Sequence, residues 1–413
     1  MLQYIFYGSI SLFFLACDVT EEESIVSTGA ERFAAEDFIS IENFRVGLIT
    51  NHTATVGDRH LADVIHKSGT VELTALFGPE HGIRGDAPAG ARIDDRTDEQ
   101  TGVPVYSLYG EIRKPTPDML EDVDVLVFDI QDIGARFYTY ISTMGYGMQA
   151  ASEKEIPFIV LDRPNPLGGE LVEGFLLESG YKSFVGLYPI PVVHGLTVGE
   201  LAEMIKGESM LEGLEDLDLY VIPMEGWERT MLWTETGIEW NPPSPNIPDF
   251  NTALIYPGAC FFEGTTASEG RGTYEPFMVV GAPWIDSQRI ADDLNGQDIP
   301  GLQFEPVTFT PQSIEGMAMN PKFENEEIHG VRYRITGAEL VRPVEAGVHL
   351  LDAFLAQSPE RETFFHEGRI QRLAGTADLH HMLLDGMSPG EISNSWRDAV
   401  DEFLIMREHY LLY

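Results

Sequence analysis

The chain has 413 residues, of which 43% are hydrophobic and 10% aromatic, enough for two domains with full cores. Its 67 acidic residues outweigh 26 basic ones, giving a formal net charge of −41. That balance excludes nucleic acid as a partner, because phosphate binding needs a positive field, and a surface so rich in acid and poor in lysine reads as salt-adapted.

Residues 1–16 are apolar and uncharged, and Cys17 and a polar run follow. The segment is too short to span a bilayer comfortably but suits the apolar part of a secretory signal. A cysteine directly after Leu15 and Ala16 resembles the lipobox of bacterial lipoproteins. The expectation is an exported protein, periplasmic or membrane-anchored, with residues 1–17 as signal and 18–29 as tether. Membrane contact is expected only through a lipid on Cys17. Cys260 is then left unpaired, so no disulfide is expected.

Residues 45–50 read as a strand opening on Asn51 and His52, and residues 60–68 as a helix with Leu61, Val64 and Ile65 on one face. Residues 71–77 form an apolar strand stopped by Gly78 and Pro79, and Glu80 and His81 come directly afterwards. A carboxylate and an imidazole just beyond a strand's carboxyl end stand where open α/β sheets bind ligands, although capping and packing roles suit them equally. Residues 103–106 read as a short strand. Thr116 and Pro117 read as the N-cap and first residue of a helix.

Residues 123–129 are near-continuously apolar, as in a strand buried on both faces, and end on Asp129, with Asp132 and Arg136 just beyond. A long helix is expected over 137–154, then a strand over 157–162 running into Arg163 and Asn165. His194 precedes a capping-box helix start at Thr197 and Glu200, and residues 217–222 read as a further strand. This alternation predicts an α/β fold, a Rossmann-like parallel sheet with helices on both faces, over residues 30–298. The proline-dense stretch 240–248 reads as a stiff surface loop. A glycine-rich loop over 261–273 carries Glu263 and Arg271 between apolar flanks, which favours a binding loop. From residue 299 the texture changes to strands at 303–309 and 330–335 of a mixed sheet, with helices at 348–356 and 395–410. That predicts a smaller α+β C-terminal domain over 299–413.

If the strands are parallel neighbours, Glu80, Asp129, Asp132 and Asp162 converge on one edge with Asn51, Arg136, Arg163, Asn165 and His194. Such a cluster offers hydrogen bonds for a polyhydroxylated ligand and paired carboxyls for acid/base work, as glycoside hydrolysis requires. The plainer alternative is that Asp129 pairs with Arg136 and Asp162 caps its own turn. No G-x-G-x-x-G or Walker-type motif supports a nucleotide cofactor. His52, His81 and His194 with Asp129 could form a ligand set, but no H-x-H or H-E-x-x-H spacing supports a metal. No cofactor is expected.

Several blocks in fixed order are similar to the NamZ-like family of exo-acting β-N-acetylmuramidases: residues 46–51, 77–85, 128–140, 162–169 and 243–246, then 263–265 with 270–273 and the closing 410–413. The resemblance spans roughly residues 30–413. It implies a Rossmann-like catalytic domain, a smaller C-terminal domain and a site in the cleft between them. It also implies release of N-acetylmuramic acid from the non-reducing end of peptidoglycan fragments, with muramyl saccharides as the partners. The family's catalytic glutamate matches Glu80, with Asp129, Asp132 and Glu263 open as the second carboxylate. Asn51, His81, Arg136, Arg163, Asn165, His194, Asn246 and Arg271 are the expected substrate contacts. Among them, Arg136, Arg163 or Arg271 suits the lactyl carboxylate, since guanidinium binds carboxylate bidentately. Thr266 stands where the family commonly has asparagine, and His52 where it has glutamine. A non-catalytic surface lipoprotein that captures cell-wall sugars is the competing expectation.

Overall fold

The computed structural model describes residues 26–79, 82–85 and 96–413. The segment containing Cys17 and the pair Glu80 and His81 lie outside the described residues. No helix among the described residues is long and apolar enough to cross a membrane.

The N-terminal region is built on β1 (Arg45–Thr50), β4 (Glu72–Gly78), β5 (Arg96–Thr97), β6 (Pro104–Ser107), β7 (Val125–Asp129), β8 (Phe158–Leu161) and β9 (Leu219–Ile222). A small hairpin, β2 (Thr55–Val56) and β3 (Arg59–His60), follows β1. The sheet order is β5-β6-β4-β1-β7-β8-β9, parallel except for the antiparallel edge pair β5-β6. Counted from β1, the parallel strands run 3-2-1-4-5-6, the doubly wound Rossmann order. Both faces of the central strands are covered. Val46, Leu48, Val125, Val127, Ile159 and Leu161 pack against α1 (Gly29–Ala35) and α2 (Leu61–Ser68). Their alternates Ile49, Leu126, Phe128, Phe158 and Val160 pack against α3 (Tyr140–Lys154) and α4 (Val198–Gly207). The near-continuous apolar runs follow from that double burial.

The C-terminal region contains α5 (Phe250–Ala259), β10 (Val279–Ala282), α6 (Ser287–Asn295), β11 (Leu302–Phe309), β12 (Ile328–Ile335) and α7 (Pro343–Gln357). After these come α8 (Glu367–Ala374), α9 (Asp378–Leu384), α10 (Pro389–Ser395) and α11 (Arg397–Arg407). Its three strands form an antiparallel sheet, β10-β12-β11, where the sequence suggested a mixed one. Strand β10 lies before residue 299, where the second domain was expected to begin. Its four residues, Val-Val-Gly-Ala, are too short for a period-2 signal. Helices α5 and α7 cross at Gly258 and Gly347, where a Cβ on Gly258 would stand 3.0 Å from the Gly347 Cα and closer still to the Pro343 carbonyl. One continuous apolar core joins Phe128 and Met144 of the first region to Phe262, Val331 and Phe354 of the second. The relative placement of the two regions is therefore fixed by packing.

Two local expectations give way. Pro117 precedes a single 3-10 turn, Asp118–Leu120, with no side-chain cap from Thr116, because Val123 begins the next buried run too soon for a helix. Helix α3 begins at Tyr140, and residues 137–139 turn outside it.

Candidate active site at the carboxyl edge of the sheet

Strand order reverses between β1 and β7, so the crevice lies over Thr50 and Asp129, which are in register. Asn51 Oδ1 accepts from the Thr53 amide at 3.0 Å and the Thr53 hydroxyl at 2.6 Å, and that hydroxyl accepts from the Gln131 amide at 3.0 Å. Gln131 Nε2 reaches the Pro164 carbonyl at 2.8 Å, so the ends of β1, β7 and β8 are laced together. Strand β4 ends beside β1 at Gly78, two residues ahead of Glu80 in the sequence. Further along the chain, Arg84 pairs with Asp63 of α2 at 2.7 Å and with Asp98 at 2.9 Å.

Much of the expected cluster is sealed. Asp129 and Arg163 are both buried and paired with each other at 2.5 and 2.9 Å, rather than Asp129 with Arg136. Arg163 thus commits its Nε and one Nη2 bond to Asp129. Arg136 is also buried, and its guanidinium donates to the carbonyls of Phe175, Ile190 and Leu373 at 2.6, 2.8 and 2.9 Å. Leu373 is in the last turn of α8, so Arg136 caps that helix instead of touching solvent. Asn165 shapes its own turn, accepting from the Leu167 amide and donating to the Leu196 carbonyl. His194 accepts from the Leu196 amide at 3.2 Å; burial, then the charges of Arg407 and Arg136, lower its pKa to about 3 and keep it neutral. Asp162 accepts from the amides of Arg163 and Gly199 and the hydroxyls of Thr197 and Tyr413, so it is a structural anchor.

Asp132 differs from its neighbours. Burial raises its pKa to about 7, only partly offset by backbone N–H groups of Gly134 and Ile133. Its Oδ2 accepts from the Gly134 amide at 2.7 Å, while its buried Oδ1 has no hydrogen-bond partner. The Asn51 Nδ2 and His194 Nε2 atoms are likewise buried and unpartnered. These loops after β1, β7 and β8 thus retain unused polar capacity.

A cavity of about 670 Å³ opens between the two regions. Its N-terminal wall is formed by Tyr109, Gly110 and Arg113 after β6, by residues 137–140, and by residues 183–185. The opposite wall comes from Tyr256 and Cys260, the loop residues Glu263, Arg271 and Phe277, and Arg369, Arg372 and Leu373 of α8. The proline-dense stretch supplies Ser244, Asn246 and Ile247, all buried, so it is a wall and not a surface loop. It is pinned over the crevice by His52 Nε2 to the Pro242 carbonyl at 2.7 Å and by Tyr140 hydroxyl to the Pro243 carbonyl at 2.7 Å. Asn246 Nδ2 donates to the Met317 carbonyl, and its buried Oδ1 is unpartnered beside the cavity.

Glu263 dominates the electrostatics of this wall. Its Oε1 accepts from Arg271 Nε at 3.1 Å and Nη2 at 2.8 Å, and its Oε2 accepts from Arg369 Nη2 at 2.6 Å. Burial opposes its charge, but the two guanidinium groups prevail and hold its pKa below the ordinary value. Glu263 is therefore ionised and cannot serve as a proton donor. What it does is orient two arginines towards the cavity; Arg271 also lies 3.9 Å from Glu269, whose other oxygen pairs with Lys322 at 2.9 Å. Gly264 permits the arrangement: a Cβ there would lie 2.8 Å from the Ile370 Cα, so only glycine lets α8 approach. Among the described residues no three His, Cys, Asp or Glu side chains gather as a metal-ligand set.

Arg113, Arg369 and Arg372 were missed by the sequence reading. The available signal was their scarcity: cations are few in so acidic a chain, and Arg369 and Arg372 are spaced to share one helix face, with Ile370, Leu373 and Ala374 buried on the other.

With the geometry established, comparisons place the chain among known proteins. Residues 46–251 match the family model for the exo-β-N-acetylmuramidase NamZ N-terminal domain, and residues 254–413 match the C-terminal one. The chain is 42% identical over 395 residues, 95% of this chain and 93% of the other, to the peptidoglycan β-N-acetylmuramidase NamZ of Bacillus subtilis (strain 168). It is also similar to two crystal structures of DUF1343 family proteins from Bacteroides fragilis NCTC 9343. One has a TM-score of 0.87 at 38% identity, covering 95% of this chain and 100% of the other; the second has 0.76 at 36%, covering 94% and 99%. A family model along each half of the chain and a near full-length relative leave one conclusion: this chain belongs to the NamZ exo-β-N-acetylmuramidase family.

Proposed function

We propose that this protein is a glycoside hydrolase that releases N-acetylmuramic acid from the non-reducing end of peptidoglycan fragments. The observation that carries the reading is the arginine pair Arg271 and Arg369, held by Glu263 on the wall of a cavity sized for a small saccharide. Muramic acid differs from glucosamine by a lactyl carboxylate, and two oriented guanidinium groups are suited to bind it. Asn246 Oδ1 offers an acceptor for a sugar hydroxyl or amide nearby. Family membership supports the same assignment.

In this reading Glu80 is the proton donor to the leaving oxygen, on the strength of its place directly after the strand end and of the family resemblance. Of the three candidates for its partner, Asp129 is sealed by Arg163 and Glu263 by two arginines. Asp132 alone keeps an oxygen without a hydrogen bond, and it titrates near neutrality. Its carboxylate form would stabilise an oxocarbenium-like transition state. Export with a lipid on Cys17 belongs to the same reading.

The test is release of N-acetylmuramic acid from a β-linked MurNAc–GlcNAc disaccharide. Turnover is expected in the native protein, none in Glu80→Gln, and loss of the inflection near pH 7 in Asp132→Asn. Stoichiometric retention of the sugar without turnover would instead identify a cell-wall sugar-binding protein. Full activity in Glu80→Gln would remove that residue from the chemistry.

A further inference from the structure

Four of the chain's 26 basic residues, Arg113, Arg271, Arg369 and Arg372, face one cavity in a protein of net charge −41. A chain so acidic repels anions in general, so a local concentration of guanidinium groups marks where one is admitted. The four are not equivalent. Arg271 and Arg369 share the Glu263 carboxylate. Arg113 and Arg372 are exposed and, among the described residues, form no ion pair.

Arg372 is one turn along α8 from Arg369, on the same face. Arg113 comes from the opposite wall and is held in place: its Nε donates to the Gly110 carbonyl at 3.2 Å, and its guanidinium lies 4.4 Å over the Phe184 ring. Phe184 is in turn stacked on Tyr146 at 6.1 Å and 4°. A guanidinium fixed by an aromatic stack loses little freedom when it binds. One carboxylate at the Glu263-held pair therefore leaves two uncompensated cations, one from each wall.

We infer that Arg113 and Arg372 form a second carboxylate subsite, which takes the acid of a further muramyl residue on the leaving glycan. This rests on the hydrolase reading above. In an alternating glycan the sugar next to the scissile bond is neutral and the one after it is muramyl, so the second charge lies beyond the first leaving-group sugar. The site would thus favour acidic fragments of three or more sugars.

Two trisaccharides separate charge from length: MurNAc–GlcNAc–MurNAc and MurNAc–GlcNAc–GlcNAc. The native protein is expected to show about fivefold higher kcat/KM on the first, decreasing with added salt. The double variant Arg113→Ala/Arg372→Ala should bring the ratio to about one. Arg113→Lys/Arg372→Lys, which keeps the charge, should retain part of the preference and guards against misfolding as the cause. Equal rates in the native protein, or an undiminished preference in the alanine variant, would overturn the inference while cleavage of both sugars leaves the hydrolase reading standing. Cleavage of neither sinks both.

Discussion

Arginine and carboxylate meet in two parts of this molecule with opposite consequences. At the switch point, Asp129 and Arg163 have side-chain exposures of 0% and 4%, and each satisfies the other. On the cavity wall, Glu263 is 12% exposed while Arg271 and Arg369 are 30% and 56% exposed. The first pair is turned inward, with both Asp129 oxygens engaged by Arg163. The second uses a buried anion to hold cations that face outward. The lesson is that residue type at a strand end does not separate structure from binding. Exposure of the cation does.

The contrast is broken most severely at the sealed pair. Asp129→Asn leaves the Arg163 charge buried without its counter-ion, and the expected loss is about 3–5 kcal/mol of unfolding free energy in urea titration. A loss under about 1 kcal/mol would show that water reaches Arg163 and that the edge is not sealed.

Glu173 sharpens the comparison, because it is a buried carboxylate that receives two amides and no guanidinium. It accepts from the backbone N–H groups of Val344 and Glu345 in the first turn of α7, joining the two regions. Burial raises its pKa from 4.5 to about 8, only partly offset by those amides. The folded state therefore binds a proton more tightly than the unfolded chain. The stabilisation is present below about pH 4.5 and is lost as pH rises to about 8, with a slope of at most about 1.4 kcal/mol per pH unit. Glu173→Gln keeps an acceptor for both amides, so it should flatten this segment of the stability–pH curve. An unchanged slope would assign the titration elsewhere.

The smallest effect on stability is expected on the open side. Arg369→Ala leaves Glu263 paired with Arg271, so unfolding free energy should change by less than about 1 kcal/mol. KM for a muramyl substrate should nevertheless rise about tenfold, the scale of one charge-assisted hydrogen bond. A variant with native KM would detach Arg369 from substrate.

The strands of the Rossmann-like sheet were legible because burial on both faces requires uninterrupted apolar runs such as 125–128 and 158–161. The capping box at Thr197 and Glu200 was legible for a local reason: both partners belong to one turn, and both hydrogen bonds form. The site was legible only in part. Glu263 and Arg271 were visible as polar groups in a glycine-rich loop, but their bond to Arg369 spans 106 residues and leaves no local trace. Arg136 was read as a ligand for substrate because sequence shows its charge but not the three carbonyls that surround it. The proline-dense stretch was read as surface, since prolines say nothing of what folds over them.

By itself the amino-acid sequence determined the alternation of strands and helices, the acidic balance and the family blocks, because periodicity, charge and short motifs are local properties of a chain. Only the tertiary structure decided which charged groups were neutralised inside and which faced the cavity. That decision depends on contacts between residues far apart in the chain, and on how much water each pair retains.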